Sequence, residues 1–185
     1  MARVPQLTPE QLSERQRKLA SEIGAIRGGG LALGGPWGLL LRNEELCERA
    51  GRFGTMLRDS TSVPKRLSEL AILISARLWT AQFEWMAHAP QASKAGLSQQ
   101  VIDAIRDGHR PRFERTDEQA AYDFITELYE NRRVSDRTYQ ALVAQIGVKA
   151  AIELTAIAGF YSSIAMLITA FEVDLPVGIK AQLRG

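Results

Sequence analysis

The chain has 185 residues, 45% of them hydrophobic, with 23 Lys and Arg against 21 Asp and Glu and a formal net charge of +2. That length and composition suit one globular domain and exclude a disordered chain, while the near-even charge balance gives no push toward nucleic acid or acidic membrane surfaces. The single cysteine, Cys47, excludes an internal disulfide, a CxxC redox pair and a thiolate zinc cluster.

Helix signals follow one another along the chain. Thr8-Pro9-Glu10-Gln11 has an N-cap, a proline at the first helical position and a capping-box glutamine, which predicts a helix to about Gly24. The glycines from Gly28 to Gly38, with Pro36-Trp37-Gly38 at their end, predict a loop. Asn43 caps a short helix to about Leu57, and Asp59 to Val63 form a second loop. Pro64 opens a helical pattern that runs over Leu67 to Ala95 and stops at Gly96. Ser98 caps a helix ending at Gly108. Thr116 to Gln119 is read as a capping box for a helix to about Asn131. Ser135 caps another helix, which stops at Gly147, and a last long helix reaches about Glu172 before Pro176. No segment alternates as a strand does, so the expected class is all-α.

Leu154 to Phe171 is a run of 18 residues without a charge. It meets the lower length limit for a spanning helix, but it contains Thr155, Ser162, Ser163 and Thr169 and has no companion run. The expectation is a buried core or interface helix and no membrane contact. The polar N-terminal stretch lacks the apolar run of a signal peptide, and with one cysteine the expected location is cytoplasmic. Arg106, Arg110, Arg112 and Arg115, and the pair Arg132 and Arg133, are interleaved with acids and read as solvated surface, with no nucleic-acid partner. The glycine-rich loop has neither the GxxxxGK[ST] spacing nor GxGxxG between a strand and a helix, so it is not a phosphate loop. It is either a flap carrying Trp37 over a cavity or a plain connector.

The candidate site lies on the Leu67 to Ala95 pattern. Leu67, Ile74, Ala81 and His88 recur every seven positions on one helical face, and Leu70, Ala71, Leu78, Glu84 and Trp85 lie beside them. Glu84 and His88 therefore continue an apolar stripe and are spaced i, i+4, so their side chains can meet. A carboxylate beside an imidazole fixes one ring nitrogen as a donor and leaves the other to carry a proton near neutral pH. The plain alternative is a hydrogen-bonded core histidine. Glu69 would lie about 28 Å from His88 in one straight helix, at 1.5 Å per residue. A break near Leu78 to Thr80, with Thr80 as N-cap of the second half, would fold the halves into a hairpin and bring Glu69 to His88. Otherwise Glu69 would pair with Arg66.

Arg66-Leu67-Ser68-Glu69-Leu70-Ala71-Ile72-Leu73, Phe83-Glu84-Trp85-Met86-Ala87-His88 and Ala95-Gly96-Leu97-Ser98 resemble the carboxymuconolactone decarboxylase family, within the alkyl hydroperoxidase D-like superfamily. The resemblance is strongest from Pro64 to about Gly108 and extends more weakly to Gly35-Pro36-Trp37-Gly38 and Gly159-Phe160-Tyr161. It implies an all-helical fold with a central helical hairpin, one such domain over 1–185 with an N-terminal helical extension, and a homo-oligomer, a trimer or hexamer. It also implies a glutamate and a histidine at Glu69 and His88. The two cysteines of the peroxidase branch fall on Ala81 and Glu84, so reduction of a hydroperoxide by a thiol pair is not expected.

These readings converge on a cofactor-independent lyase acting by acid–base chemistry on a small organic acid or lactone. His88 would carry the proton, Glu84 would orient it or share that proton, and Glu69 would tune the pair. Trp37, Trp85 and Tyr161 would shape the substrate cavity, and Arg77 could hold a substrate carboxylate or sit in a surface or interface ion pair. The alternatives are a non-catalytic small-molecule binding oligomer, a peroxidase working through Cys47, and a sparse metal site of Glu69, Glu84 and His88.

Overall fold

A computed structural model describes residues 2–26 and 29–184. Gly28, the first glycine of the expected loop, lies outside the described residues. Those described residues form helices α1 (Glu14–Ile26), α2 (Gly35–Leu40), α3 (Glu44–Asp59), α4 (Lys65–Leu78), α5 (Gln82–Lys94), α6 (Gln99–Arg106), α7 (Thr116–Asn131) and α8 (Asp136–Ala170), with no strand among them. The all-α expectation therefore holds.

Most helix ends obey their sequence signals. Asn43 accepts a hydrogen bond from the Leu46 N–H at the start of α3, Ser98 accepts one from Val101 before α6, and Ser135 one from Thr138 before α8. Gly96 takes φ +94° after α5, with Leu97 N–H bonded to the Ala92 carbonyl, as a Schellman end requires.

Four local expectations need correction. The Thr8 capping box closes only a 3₁₀ turn, Pro9–Gln11, and Ser13 with Gln16 makes a second reciprocal box that opens α1. Pro36-Trp37-Gly38 is not loop: proline fits the first turn of a helix, and α2 begins at Gly35. Thr116 is not an N-cap; Arg115 holds that position without a side-chain bond, and the Thr116 hydroxyl donates to Gln145. Thr80 is not an N-cap either. It sits at φ +50° as the left-handed residue of a Schellman end to α4, with Ala81 N–H bonded to the Ala76 carbonyl and Thr80 N–H to the Arg77 carbonyl. The break predicted near Leu78 to Thr80 is real, and the motif that makes it is the end of one helix rather than the start of the next.

The central element is α4. Every residue from Arg66 to Ala76 is buried, so the helix is enclosed all round, packed against α5, α7 and α8. The two charged residues of that buried stretch keep partners: Arg66 donates to Glu118 at 2.6 Å and to Asp117 at 2.9 Å on α7, and Glu69 faces α5. Where α4, α7 and α8 meet, a polar seam joins Ser75 to the Tyr129 hydroxyl at 2.6 Å and Tyr129 to Ser162 at 2.9 Å.

Helix α8 is two helices joined at Gly147, which takes φ +78°, ψ +164°. Its second part carries the uncharged run. Among the described residues it is the one segment long and apolar enough to cross a membrane, yet it lies in the core, with Leu154, Ile157, Ala158, Tyr161, Ala165 and Ile168 buried. A second apolar cluster joins α1, α2 and the start of α3 to the end of α8 through Leu19, Ile23, Trp37, Leu41, Cys47 and Ile164. The N-terminal helices are thus a flank laid against α8, and the space between that flank and the α4–α5 hairpin is the cavity described next.

Candidate active site

The hairpin lays α5 against α4 and brings Glu69 Oε2 to 2.8 Å from His88 Nδ1. Lys65, one turn before Glu69, places its ammonium 3.3 Å from the other carboxylate oxygen. Glu69 is 2% exposed and the His88 side chain 13%. Burial acts most strongly on the Glu69 carboxyl and favours its neutral form. The His88 hydrogen bond and charge, with the Lys65 charge behind them, together outweigh burial and hold Glu69 below the usual glutamate range. An ionised Glu69 can only accept, so Nδ1 carries the shared hydrogen. Nε2, which has no hydrogen bond among the described residues, is then the nitrogen able to take or give a proton. The Tyr161 ring stands edge-on to the imidazole at 5.0 Å and limits its tilt.

His88 forms part of the wall of a cavity of about 720 Å³. Trp37 and Pro36 of α2 close one side, Phe83 and Ala87 of α5 another, and Phe160 and Ile164 of α8 a third. Glu69, Lys65 and Glu84 reach the same space, as do Arg58 and Asp59 at the end of α3. The lining is largely apolar with a few convergent polar groups, the general character of a small-molecule site.

The six residues singled out by sequence separate into distinct placements. Glu69, His88, Trp37 and Tyr161 come together at the cavity, and Glu84 borders it. Glu84 does not orient His88: despite the i, i+4 spacing, both of its carboxylate oxygens are buried without a hydrogen-bond partner among the described residues, and Glu69 takes the imidazole. Burial drives the Glu84 carboxyl well above the usual range, so its neutral form is favoured. Trp85 is not at this cavity. One position beyond Glu84 it turns about 100° round the helix, packs into the core and donates its indole N–H to Gln182 at 3.2 Å beside a separate, smaller hollow.

Arg77 does not border the cavity either, since its guanidinium lies against Gly108. Glu69 does not pair with Arg66, which is committed to α7. Among the described residues no group of three His, Cys, Asp or Glu side chains is arranged to hold a metal ion. Glu69, Glu84 and His88 therefore do not form a ligand set. Lys65 and Arg58 are additions that sequence reasoning missed, whereas Phe83, expected from the sequence to make the surroundings apolar, does line the cavity. The i, i+4 spacing of Lys65 and Glu69 is a usable signal; nothing in the sequence places the end of α3 over His88.

The α4–α5 hairpin, with the buried Glu69–His88 pair across it and α7 and α8 around it, belongs to an all-helical fold. Solved structures agree. A peroxidase-related protein from Silicibacter sp. TM1040 superposes with a TM-score of 0.77 at 10% identity, over 95% of this chain and 92% of its own. A peroxidase-related protein with an alkylhydroperoxidase AhpD core, from Ralstonia eutropha JMP134, gives a TM-score of 0.77 at 14% identity, over 95% and 93%. The debrominase Bmp8, as a cysteine-to-alanine variant in complex with 2,3,4-tribromopyrrole, gives a TM-score of 0.71 at 15% identity, over 94% and 91%. No protein-family model matches the sequence, and no curated protein does.

Proposed function

We propose that this protein is a cofactor-independent lyase that uses the Glu69–His88 pair for acid–base chemistry on a small organic acid or lactone, as in a carboxymuconolactone decarboxylase. The observation that carries this reading is the 2.8 Å bond between Glu69 and Nδ1 of an imidazole on the wall of a mostly apolar cavity. Glu69 fixes the tautomer and balances the imidazolium when it forms, while Nε2 exchanges the proton with substrate. Lys65 and Arg58 supply positive charge for an acidic substrate, the role that Arg77 is too far away to play; Arg58 makes no ion pair with a described residue. Trp37, Phe83 and Phe160 keep bulk water from the reacting atoms.

Peroxide reduction through Cys47 is disfavoured by its surroundings. The thiol is fully buried, lies outside the cavity lining, and burial pushes it up to about 11, so no thiolate is at hand near neutral pH. A homo-oligomer, trimer or hexamer, is part of the proposal and is supported by the exposed row Leu46, Phe53 and Met56 on α3. So is a cytoplasmic location, supported by a lone reduced cysteine.

The test is a screen of small carboxylated lactones and unsaturated organic acids for carbon dioxide release, run side by side with His88→Gln. Turnover that His88→Gln lowers by about 10²-fold or more supports the reading. Turnover that survives in His88→Gln, or ligands that bind without moving the His88 ring resonances, would remove it.

A further inference from the structure

Glu84 is the buried group that the Glu69–His88 pair leaves unused. It borders the same cavity, it is 2% exposed, and neither carboxyl oxygen has a partner among the described residues. Neighbouring polar groups turn to other partners. His88 bonds Glu69, and the Tyr129 hydroxyl is used by Ser75, Ser162 and the Ala158 carbonyl. A buried polar atom without a partner weakens a fold, whereas a leucine of similar size would not. Its position also matters. On α5 it lies one turn before His88 on the same side, with about 5–6 Å between Cβ atoms at that spacing. A ligand at His88 Nε2 is therefore one helical turn from Glu84, whose carboxyl oxygens are closed off in this structure and meet the ligand by rotation of the side chain.

We propose that Glu84 is a second acid of the site, a neutral carboxyl whose O–H hydrogen-bonds the carbonyl oxygen of a carboxylated lactone or keto acid while His88 works on the adjacent carbon. This rests on the acid–base reading above and adds the group that receives the developing charge. The step balances without any oxidant or reductant. The carbon–carboxylate bond breaks and carbon dioxide leaves. The electron pair moves into the carbonyl, and the oxygen that becomes negative accepts the Glu84 hydrogen bond. Protonated His88 then gives its Nε2 proton to the carbon, the carbonyl re-forms, Glu84 keeps its proton, and His88 takes a replacement proton from water. A neutral carboxyl in an apolar wall is suited to this because it donates where an ionised one only accepts. The apolar lining strengthens the bond to a charged oxygen.

The experiment combines infrared spectroscopy with ligand binding, using paraconic acid, a saturated lactone with one carboxylate, as the probe. The expected result at neutral pH is a protonated-carboxyl band in the native protein that is absent in Glu84→Gln. It persists in His88→Gln and moves to lower frequency when paraconic acid binds. Glu84→Leu should raise the melting temperature while weakening paraconic acid binding about tenfold or more, a combination that a merely structural glutamate would not produce. Absence of the band, or a band that stays still while the His88 ring resonances respond to paraconic acid, overturns the role of Glu84 and leaves the Glu69–His88 reading intact. A band that moves while the His88 ring does not respond keeps Glu84 and removes the Glu69–His88 reading. No response at either residue removes both.

Discussion

Glu69 and His88 stand 19 positions apart in the chain and 2.8 Å apart in space, and the left-handed turn at Thr80 makes the second distance possible. Substitution Glu69→Gln keeps the shape but loses the charge that balances an imidazolium. The expected outcome is a fall in kcat of roughly 10²-fold with KM changed little, read from steady-state kinetics on any substrate the screen identifies.

The same pair has a signature in stability. Glu69 is held below its unfolded-state range by His88 and Lys65, so its contribution is fully present above that range and is lost as pH falls through the folded value. Native protein should therefore lose more melting temperature than Glu69→Gln in the acid region, and the two curves should converge there. Parallel curves would show that the bond adds nothing to the fold.

Glu84 has the opposite sign. Its folded carboxyl lies well above the unfolded one, so stability is greatest below the unfolded value and declines as pH rises toward the folded value. The decline from this one group is about 1.4 kcal/mol per pH unit across that interval. Glu84→Gln should remove the slope, as measured by urea unfolding at a series of pH values.

Arg66 is 9% exposed and bonded to both Glu118 and Asp117. Arg66→Ala leaves two carboxylates facing an apolar helix, one of them 4% exposed. A loss of about 3–5 kcal/mol is expected, enough to unfold a marginal domain at ambient temperature. Equilibrium denaturation gives the number directly.

Cys47 should be chemically silent. With no exposure and a thiol raised to about 11, it should resist iodoacetamide in the folded protein at neutral pH and react only after unfolding. Mass spectrometry of the adduct, with and without denaturant, checks this. Fast labelling of folded protein would reopen the thiol route.

Gly35 meets the cavity wall directly. Its φ is +62°, and a Cβ there would lie 2.5 Å from Phe83 Cζ. Gly35→Ala should cost about 1–3 kcal/mol and push the Phe83 ring into the cavity, so that ligand affinity falls along with the melting temperature. Calorimetry of binding and of unfolding separates the two effects.

Much of the architecture is legible in the sequence because its signals are local. Asn43, Ser98 and Ser135 cap by side-chain chemistry, and Gly96 and Gly147 break helices by backbone freedom. Thr80 misleads because a β-branched residue in the left-handed region is rare, so its presence before a helix looks like a cap. Residues 35–38 mislead because glycine density outweighs the proline that starts α2. The site is half legible for a related reason. Spacing on one helix offers Glu84 to His88, but a hairpin partner can outcompete an i, i+4 neighbour, and Glu69 does. Trp85 illustrates the same limit, since only the packed structure shows which side of α5 its indole faces.

The first turn of α5 is clasped by the tail. Gln82 donates to the Leu183 carbonyl and accepts from the Gln182 and Leu183 N–H groups, while Gln182 holds the Trp85 indole. Residues 182 and 183 leave the ribosome after every helix that lines the cavity. The clasp on the first turn of α5 is thus made only after the Glu69–His88 pair and the cavity wall have been synthesised, and a nascent chain can assemble its core before that turn is tied down.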